Sequence, residues 1–313
     1  MRAQVLVEYG GPEAMQLREV EEPVAGPGQV RVRVAFAALN PIEWKLRSGA
    51  FREVVPLTLP FVPGNEVSGM VDQVGEGVDE LEIGDRVAGF VPGGGDAEFV
   101  VTTPARLGLV PQGLSLRRAA TLPQAAETAH RALRYISPQP GETVLVNAAA
   151  GAVGSAAVQI LAQQGVTVVG TARPENHEYL RALGAVPIEY GEPLLEQLRA
   201  VAPAGIDAAL DGGAHGFVDQ VLPLVAIERI VTIADFGAVA KGVRLATGDP
   251  MAIQADDVRP VLALAAQGHF ATEIAAEFAL EDIGSAQALS ERGHLRGKIL
   301  VRVADLEALE PST

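Results

Sequence analysis

Short valine-rich segments, separated by glycine and proline, fill the first third of the chain. Segments of this kind, bounded by turn signals such as Gly26-Pro27-Gly28, are typical of β-strands. The predicted strands cover residues 4–8, 29–35, 66–74, 86–90 and 97–102. Together they predict a compact β-barrel-like domain.

The pattern changes after Ser115, where an alanine-rich stretch predicts a helix over residues 116–136. From residue 142 onward, short continuous apolar runs alternate with helical stretches. The runs predict strands at residues 143–147, 166–171, 186–188, 206–210 and 229–233, and the stretches between them predict helices at 154–164, 175–183, 194–201 and 217–224. This alternation is typical of βαβ units and a parallel sheet covered on both faces, so it predicts a doubly wound domain.

The end of the chain returns to a mixed pattern. Helices are predicted at residues 256–267 and 281–291, and strands at 277–280 and 298–303. Because a single terminal strand is not stable alone, we expect it to pair back into the first domain. The predicted limits are a first domain over residues 1–118, a dinucleotide-binding domain over 119–260, and a return to the first domain over 261–313.

Composition narrows the classes of function. With 24 basic and 39 acidic side chains, the formal net charge is -15, which repels nucleic-acid phosphates and anionic membrane surfaces. The absence of cysteine excludes disulfides, a thiolate zinc site and a cysteine nucleophile. No signal peptide or uninterrupted membrane span is evident, so we expect a cytoplasmic protein that binds neither nucleic acid nor membrane.

One strand-to-helix turn has the residue pattern that most strongly indicates a ligand-binding site. The apolar strand at 143–147 runs into small residues and then a helix, whose N-terminal N–H groups suit a pyrophosphate. Gly151 would let the phosphates approach the backbone, and Gly154 would let the helix pack on the strand. The spacing departs from the common G-x-G-x-x-G pattern, and a tight turn without ligand gives the same residues. The candidate contacts are Ala150, Gly151, Ala152, Val153 and Gly154.

The end of the next predicted strand indicates which dinucleotide binds. NAD sites place a carboxylate there on the ribose 2′-hydroxyl, and this chain has none at that position. It offers instead the Thr171 hydroxyl and the Arg173 guanidinium, which can bind a 2′-phosphate. The pattern favours NADPH over NADH. The alternative is that Arg173 is an ordinary solvated surface residue.

Several short motifs occur in the order found in one family. They are the run from Asn40 to Gly49, Pro63-Gly64-Asn65-Glu66-Val67-Ser68-Gly69, Gly84-Asp85-Arg86-Val87, the turn ending at Gly154, and Arg296-Gly297-Lys298-Ile299. In this respect the chain resembles the zinc-independent quinone oxidoreductases of the medium-chain dehydrogenase/reductase superfamily. The resemblance implies a GroES-like β-barrel catalytic domain split around a Rossmann doubly wound parallel-sheet domain, a homodimer, and an active site in the cleft between the domains.

The resemblance also implies roles for single residues. Asn40 would lie by the nicotinamide ribose and Thr128 would bond the carboxamide, while Tyr190 would border the adenine and Ala234 and Phe236 would line the nicotinamide. The alternative for Thr128 is a hydrogen bond back to its own helical turn. For Tyr190 it is a half-buried packing ring, and for Phe236 a place in the core.

Zinc-containing relatives place a cysteine near Asn40 and a histidine where Asn65 stands. This chain has amides at both positions, so no metal is expected. Its five histidines lack ligand spacing: His130, His177, His215, His269 and His294.

These observations predict an NADPH-dependent reductase that passes hydride to a quinone or a related conjugated carbonyl, a small-molecule acceptor that needs no Lewis acid. The catalytic candidates are Asn40 and Lys45, which stands where many relatives carry tyrosine; Glu43 and solvent are further proton sources. Trp44, Leu57, Phe61 and Phe270 form either an apolar substrate wall or core. The rival functions are an enone, 2-alkenal or acyl-thioester enone reductase, and a non-catalytic NADPH-binding sensor or structural protein.

Overall fold

A computed structural model describes residues 1–248 and 252–305. In chain order its strands are β1 (Arg2–Leu6), β2 (Met15–Glu19), β3 (Val30–Leu39), β4 (Glu66–Val74), β5 (Arg86–Phe90), β6 (Phe99–Thr102), β7 (Leu107–Leu109), β8 (Thr143–Asn147), β9 (Thr167–Thr171), β10 (Ala185–Ile188), β11 (Ala208–Asp211), β12 (Ile230–Thr232), β13 (Arg244–Leu245), β14 (Ile274–Ala279) and β15 (Lys298–Arg302). Its α-helices are α1 (Pro41–Arg47), α2 (Leu116–Ala119), α3 (Pro123–Ile136), α4 (Ala152–Gln163), α5 (His177–Ala182), α6 (Leu194–Val201), α7 (Phe217–Val221), α8 (Val258–Ala266) and α9 (Ile283–Arg292).

The chain forms two compact units. The first contains residues 1–124 together with the C-terminal segment described from residue 252, and the second contains residues 125–248. The domain limits at 118/119 and 260/261 stay a prediction. Within the described ranges, every helix is too short or too polar to cross a membrane.

A seven-stranded sheet organises the first unit. Its order is β14-β15-β3-β4-β5-β7, with β6 also paired to β3, and β1 and β2 form a separate hairpin. The long strand β3 buries most of its residues because it lies between β15 and β4. Strand β15 pairs antiparallel with β3, with Ile299 opposite Leu39, which confirms that the terminal strand returns to the first domain. Apolar side chains of both chain segments share one core, including Val32, Val67 and Val301.

The second unit is a fully parallel sheet. Its order is β10-β9-β8-β11-β12-β13, so the first strand in sequence, β8, lies beside the fourth, β11. This is the doubly wound order 3-2-1-4-5-6, which reverses direction between β8 and β11. Ligands of such sheets bind outside the carboxyl ends of the strands at that reversal. The predicted parallel, doubly wound domain is therefore confirmed.

Some predicted elements are wrong in detail. The single helix predicted over residues 116–136 is two helices, α2 and α3, with a break at residues 120–122. Pro123 explains the break, because proline disfavours the helical conformation in the residue before it. The sequence analysis also missed β2, β7, β13 and α1, which are short and have little periodicity.

Candidate functional site

The turn from β8 into α4 lies at the reversal point of the parallel sheet. Gly151 is the N-cap of α4, and Ala148 begins the turn with a left-handed φ of 57°. The Gly151 N–H donates to the Ala148 carbonyl oxygen at 3.0 Å, which closes the turn. The first N–H groups of α4, from Ala152 onward, face the carboxyl edge, as a phosphate group requires.

Two glycines allow close packing around this turn. A Cβ on Gly154 would come 2.3 Å from the Ala148 oxygen and 2.7 Å from the Ala149 Cα. A Cβ on Gly170 in the neighbouring strand β9 would come 2.8 Å from the Ala149 Cβ. By contrast, a Cβ on Gly151 would meet only the Ala148 oxygen, at 3.3 Å. Gly154 therefore sets the approach of helix to strand, while a Cβ on Gly151 would require only a shift of a few tenths of an ångström from the Ala148 oxygen.

Buried polar side chains end the four central strands of this sheet. The hydroxyl of Thr171, at the end of β9, donates to Asn147 Oδ1 at 2.7 Å and accepts the Ala148 N–H at 3.1 Å. Asn147, at the end of β8, donates from Nδ2 to Asp211 Oδ1 at 2.9 Å. The Thr232 hydroxyl, at the end of β12, donates to Asp211 Oδ2 at 2.8 Å. The sequence predicts that Thr171 binds the 2′-phosphate, but the structure buries its hydroxyl in this network, where it supports the turn.

Sequence reasoning missed the roles of Asn147, Asp211 and Thr232. A usable signal was present, because each is a polar residue that directly follows an apolar residue at the carboxyl end of its strand. Buried polar groups require hydrogen-bond partners, so several of them at one sheet edge predict a shared network.

Arg173 and Tyr190 are brought together by the pairing of β9 with β10. Thr171 is opposite Ile188 in that pair, so each side chain lies two residues beyond the end of its strand. Arg173 Nε donates to the Tyr190 hydroxyl at 3.0 Å, and this bond raises the pKa of Arg173. Both side chains are about four-tenths exposed. An arginine beside an aromatic ring at this edge offers a charged group and a stacking surface to a phosphorylated nucleoside.

The remaining predicted contacts of the second unit lie on two elements. Ala234 and Phe236 follow β12, where the Ala234 N–H donates to the Thr232 hydroxyl at 3.1 Å and the Phe236 ring is half exposed. Thr128 is nearly buried in α3 and accepts a hydrogen bond from Arg131 Nη2 at 3.3 Å. Arg131 pairs in turn with Glu127 at 2.7 Å.

In the first unit, Asn40 is the centre of a buried polar cluster. Its Oδ1 accepts from Lys298 Nζ at 2.6 Å, and its Nδ2 donates to Glu66 Oε2 at 3.1 Å and to Asn65 Oδ1 at 3.3 Å. Lys298 also forms an ion pair with Glu66 at 2.6 Å, and both side chains are almost completely buried. The cluster therefore joins the ends of β3, β4 and β15.

Two further carboxyl groups are fully buried in this unit. The Asn40 N–H donates to Glu43 Oε1 at 3.1 Å, but Glu43 Oε2 and both Asp96 carboxyl oxygens lack hydrogen-bond partners within residues 1–248 and 252–305. Burial raises the pKa of Asp96 from 3.8 to about 7. Burial, together with the nearby charge of Asp96, holds the pKa of Glu43 well above its usual range. Burial therefore shifts both carboxyl groups toward the neutral form.

The remaining residues of the first unit that the sequence proposes for the site differ in how deeply they are buried. Lys45 is partly buried, which lowers the pKa of its ammonium, and its Nζ lies 5.7 Å from the centre of the Trp44 ring. Phe270 is buried in the protein and Leu57 packs against the core. Their surroundings favour the core alternative over the substrate wall for these two. Among the described residues, no group of three or more His, Asp or Glu side chains has the arrangement needed to hold a metal ion.

Two protein families match the chain. Residues 26–112 match the alcohol dehydrogenase GroES-like domain, and residues 183–301 match the zinc-binding dehydrogenase family. Quinone-oxidoreductase QR1, a chloroplastic protein of Triphysaria versicolor, is 30% identical over 326 residues, covering 96% of this chain and 98% of that protein. The chain therefore belongs to the medium-chain dehydrogenase/reductase superfamily.

The similarity extends to solved structures and to shorter alignments. A mycobacterial protein, Rv1454c, solved in complex with NADPH, has a TM-score of 0.81 and 25% identity, covering 97% of this chain and all of that one. The human synaptic vesicle membrane protein VAT-1 homolog is 36% identical over 217 residues, or 67% of this chain. That alignment spans only 55% of the human relative, about half its length. The first unit is a GroES-like domain, and the second is a Rossmann-like parallel-sheet domain.

Proposed function

We propose that the protein is a metal-independent reductase that uses NADPH to reduce a quinone or a related conjugated carbonyl compound. The observation that carries the choice of cofactor is the Arg173–Tyr190 pair beyond β9 and β10. No carboxylate occupies the place where one would bind an NAD ribose. A guanidinium in that place favours a ribose that carries a 2′-phosphate.

The residues of the second unit fit a dinucleotide laid across the carboxyl edge. The turn from Ala150 to Gly154 would hold the pyrophosphate, because its small residues leave the backbone N–H groups accessible. Arg173 and Tyr190 would bind the 2′-phosphate and adenine at one end. Thr128, Ala234 and Phe236 would lie toward the nicotinamide at the other. When bound, NADPH supplies the hydride.

Metal independence is supported by the donor set around Asn40. The two positions at which zinc-containing relatives carry ligands are amides, and Asn40 Oδ1 accepts from a buried lysine ammonium. A cation next to that ammonium would be repelled, and amide oxygens are poor ligands for Zn²⁺. A quinone does not require a Lewis acid, since its conjugated carbonyl groups are already electrophilic. The chain's remaining task is to bind and orient the acceptor and to exclude water.

The test is NADPH oxidation by the purified protein, dialysed against a chelator, with a panel of quinones, simple enones, 2-alkenals and acyl-thioester enones. We expect quinones to give the highest kcat/KM, and zinc addition to leave the rate unchanged. A preference for enals or thioesters would support the rival reductase class. Tight NADPH binding without turnover on any acceptor would support the non-catalytic class, and chelator-sensitive turnover would contradict metal independence.

A further inference from the structure

The side chains of Thr171, Asn147, Asp211 and Thr232 form a hydrogen-bonded network at the carboxyl edge of the parallel sheet. Its final acceptor is one carboxylate, that of Asp211. Every side-chain donor within it points toward the Asp211 carboxylate, directly from Asn147 and Thr232 and through Asn147 from Thr171. Asp211 Oδ1 also accepts the N–H groups of Gly213 at 3.0 Å and Ala214 at 2.9 Å.

Asp211 is therefore satisfied by hydrogen bonds alone. Its side chain is fully buried, and it forms no ion pair with any residue of the described ranges. It accepts four hydrogen bonds, two from side chains and two from the backbone. A buried carboxylate with this many donors is stable, but removal of its oxygens would leave several buried donors without an acceptor.

The network holds the backbone of three loops. Thr171 fixes the N–H of Ala148 in the turn that precedes α4. Thr232 accepts the N–H groups of Ala234 at 3.1 Å and Asp235 at 2.9 Å, at the start of the loop that carries Phe236. The two sides of the expected dinucleotide site are thus connected through one carboxylate.

The third loop is strained. After β11, Ala214, His215 and Gly216 have φ values of 58°, 58° and 76° in succession, and two of these residues are not glycine. Such conformations persist only where the surroundings enforce them. The two backbone hydrogen bonds to Asp211 Oδ1, from Gly213 and from Ala214, lie at the start of this segment and provide that constraint.

We propose that Asp211 is a positioning residue that orders the pyrophosphate turn after β8 and the nicotinamide loop after β12 as one unit. This inference rests on the proposed function for the identity of the ligand. Neighbouring strands lie about 4.8 Å apart, so Thr171 on β9 and Thr232 on β12 are separated by about 14 Å. Substitutions that far apart normally have independent effects. If the network connects the two positions, the effects of substitutions at Thr171 and Thr232 will depend on each other.

The experiment uses isosteric variants that remove one hydroxyl each. Thr171→Val cuts the network on the pyrophosphate side, Thr232→Val cuts it on the nicotinamide side, and a double variant cuts both. Thr167→Val, at the exposed amino end of β9, is the matched control. The first measurement is backbone hydrogen exchange in the dinucleotide-free protein, and the second is the dissociation constant of NADPH.

In the free protein, we expect Thr232→Val to accelerate exchange about tenfold at Ala234 and Asp235, which lose their acceptor. We also expect acceleration at Gly213, Ala214 and Ala148, which lie on the other side of Asp211. The control should leave all five amides unchanged. Acceleration confined to Ala234 and Asp235 would overturn the proposal, whether or not the protein binds NADPH.

For the ligand, each single variant should weaken NADPH binding several-fold, and the double variant should weaken it by less than the product of the two factors. Multiplicative effects would show independent sites and overturn the proposal. If the wild-type protein binds no dinucleotide, the proposed function fails, and the exchange data still decide whether Asp211 couples the loops.

Discussion

At the scale of single side chains, the candidate dinucleotide site depends on which side chains lie at and just beyond the carboxyl ends of the parallel strands. The exposed Arg173 guanidinium has two neighbours, the Tyr190 hydroxyl at 3.0 Å and the Glu175 carboxylate at 3.9 Å. Glu175 is itself largely exposed, so its attraction for Arg173 is weakened by solvent. Arg173 is therefore accessible to a phosphate.

Replacing Arg173 with alanine should weaken NADPH binding about tenfold and leave NADH binding almost unchanged, because only the 2′-phosphate requires the guanidinium. High salt should reproduce part of the loss in the wild-type protein. Calorimetric titration with both dinucleotides measures this. Arg199→Ala, which removes another exposed arginine from α6, is the matched control. Equal weakening of both dinucleotides would show that Arg173 is not at the 2′-phosphate.

Asp96→Asn should make the protein more stable at pH 8 than the wild type. In the folded protein the pKa of Asp96 is raised by burial to about 7, against 3.8 for the free side chain. Between these values the unfolded chain ionises and the folded protein does not, so the group's contribution to stability is complete below about pH 4 and is lost as pH rises to about 7. The loss is at most about 4 kcal/mol.

Urea unfolding of wild type and Asp96→Asn between pH 4 and pH 8 measures this effect. The wild type should lose stability over that interval and the variant should lose less, with Asp79→Asn, at an exposed position, as the control. Parallel curves for wild type and Asp96→Asn would contradict the raised pKa.

At the scale of elements, the turn between β8 and α4 is set by contact distances. The helix begins so close to the strand that position 154 has no space for a side chain. The same glycine pair could be identified from the sequence, but the different tolerance of its two members could not. That difference depends on where the Ala148 carbonyl points, which follows from its left-handed backbone.

Gly154→Val should destabilise the protein by about 2 kcal/mol or more, because backbone atoms of Ala148 and Ala149 must move, and NADPH binding should be lost with the turn. Gly151→Ala is the matched comparison, since its Cβ would make a tight contact with only one atom, the Ala148 oxygen at 3.3 Å, and it should lose much less stability than Gly154→Val. Thermal unfolding and NADPH titration measure the two effects. An unchanged affinity for NADPH in a folded Gly154→Val protein would show that this turn does not bind the dinucleotide.

Element patterns in the sequence were informative where periodicity was strong. Strand β8 and helix α6 have the predicted bounds, since each is a clear run between turn signals. The interruption between α2 and α3 was missed because the alanine-rich pattern continues across it, although Pro123 marks the site. Helix α1 was missed because seven residues give too little periodicity.

At the scale of the whole molecule, the sequence predicted both kinds of sheet and the return of the last strand, but not the order of the strands. Asn147 and Asp211 are 64 residues apart in the chain, and their hydrogen bond exists only because β8 and β11 are neighbours. The Asn40–Lys298 contact spans 258 residues and likewise follows from the pairing of β15 with β3. Candidate residues inside one motif can therefore be proposed from the sequence, while the partners that strand order brings together cannot be paired from it.

We propose above all that the carboxyl edge of the six-stranded sheet binds NADPH. Calorimetric titration of the wild-type protein with NADPH and with NADH, in the same buffer and after chelator treatment, tests it most directly. We expect one site per chain, with NADPH bound at least about tenfold more tightly than NADH. Equal or tighter binding of NADH, or no binding of either dinucleotide, would contradict it.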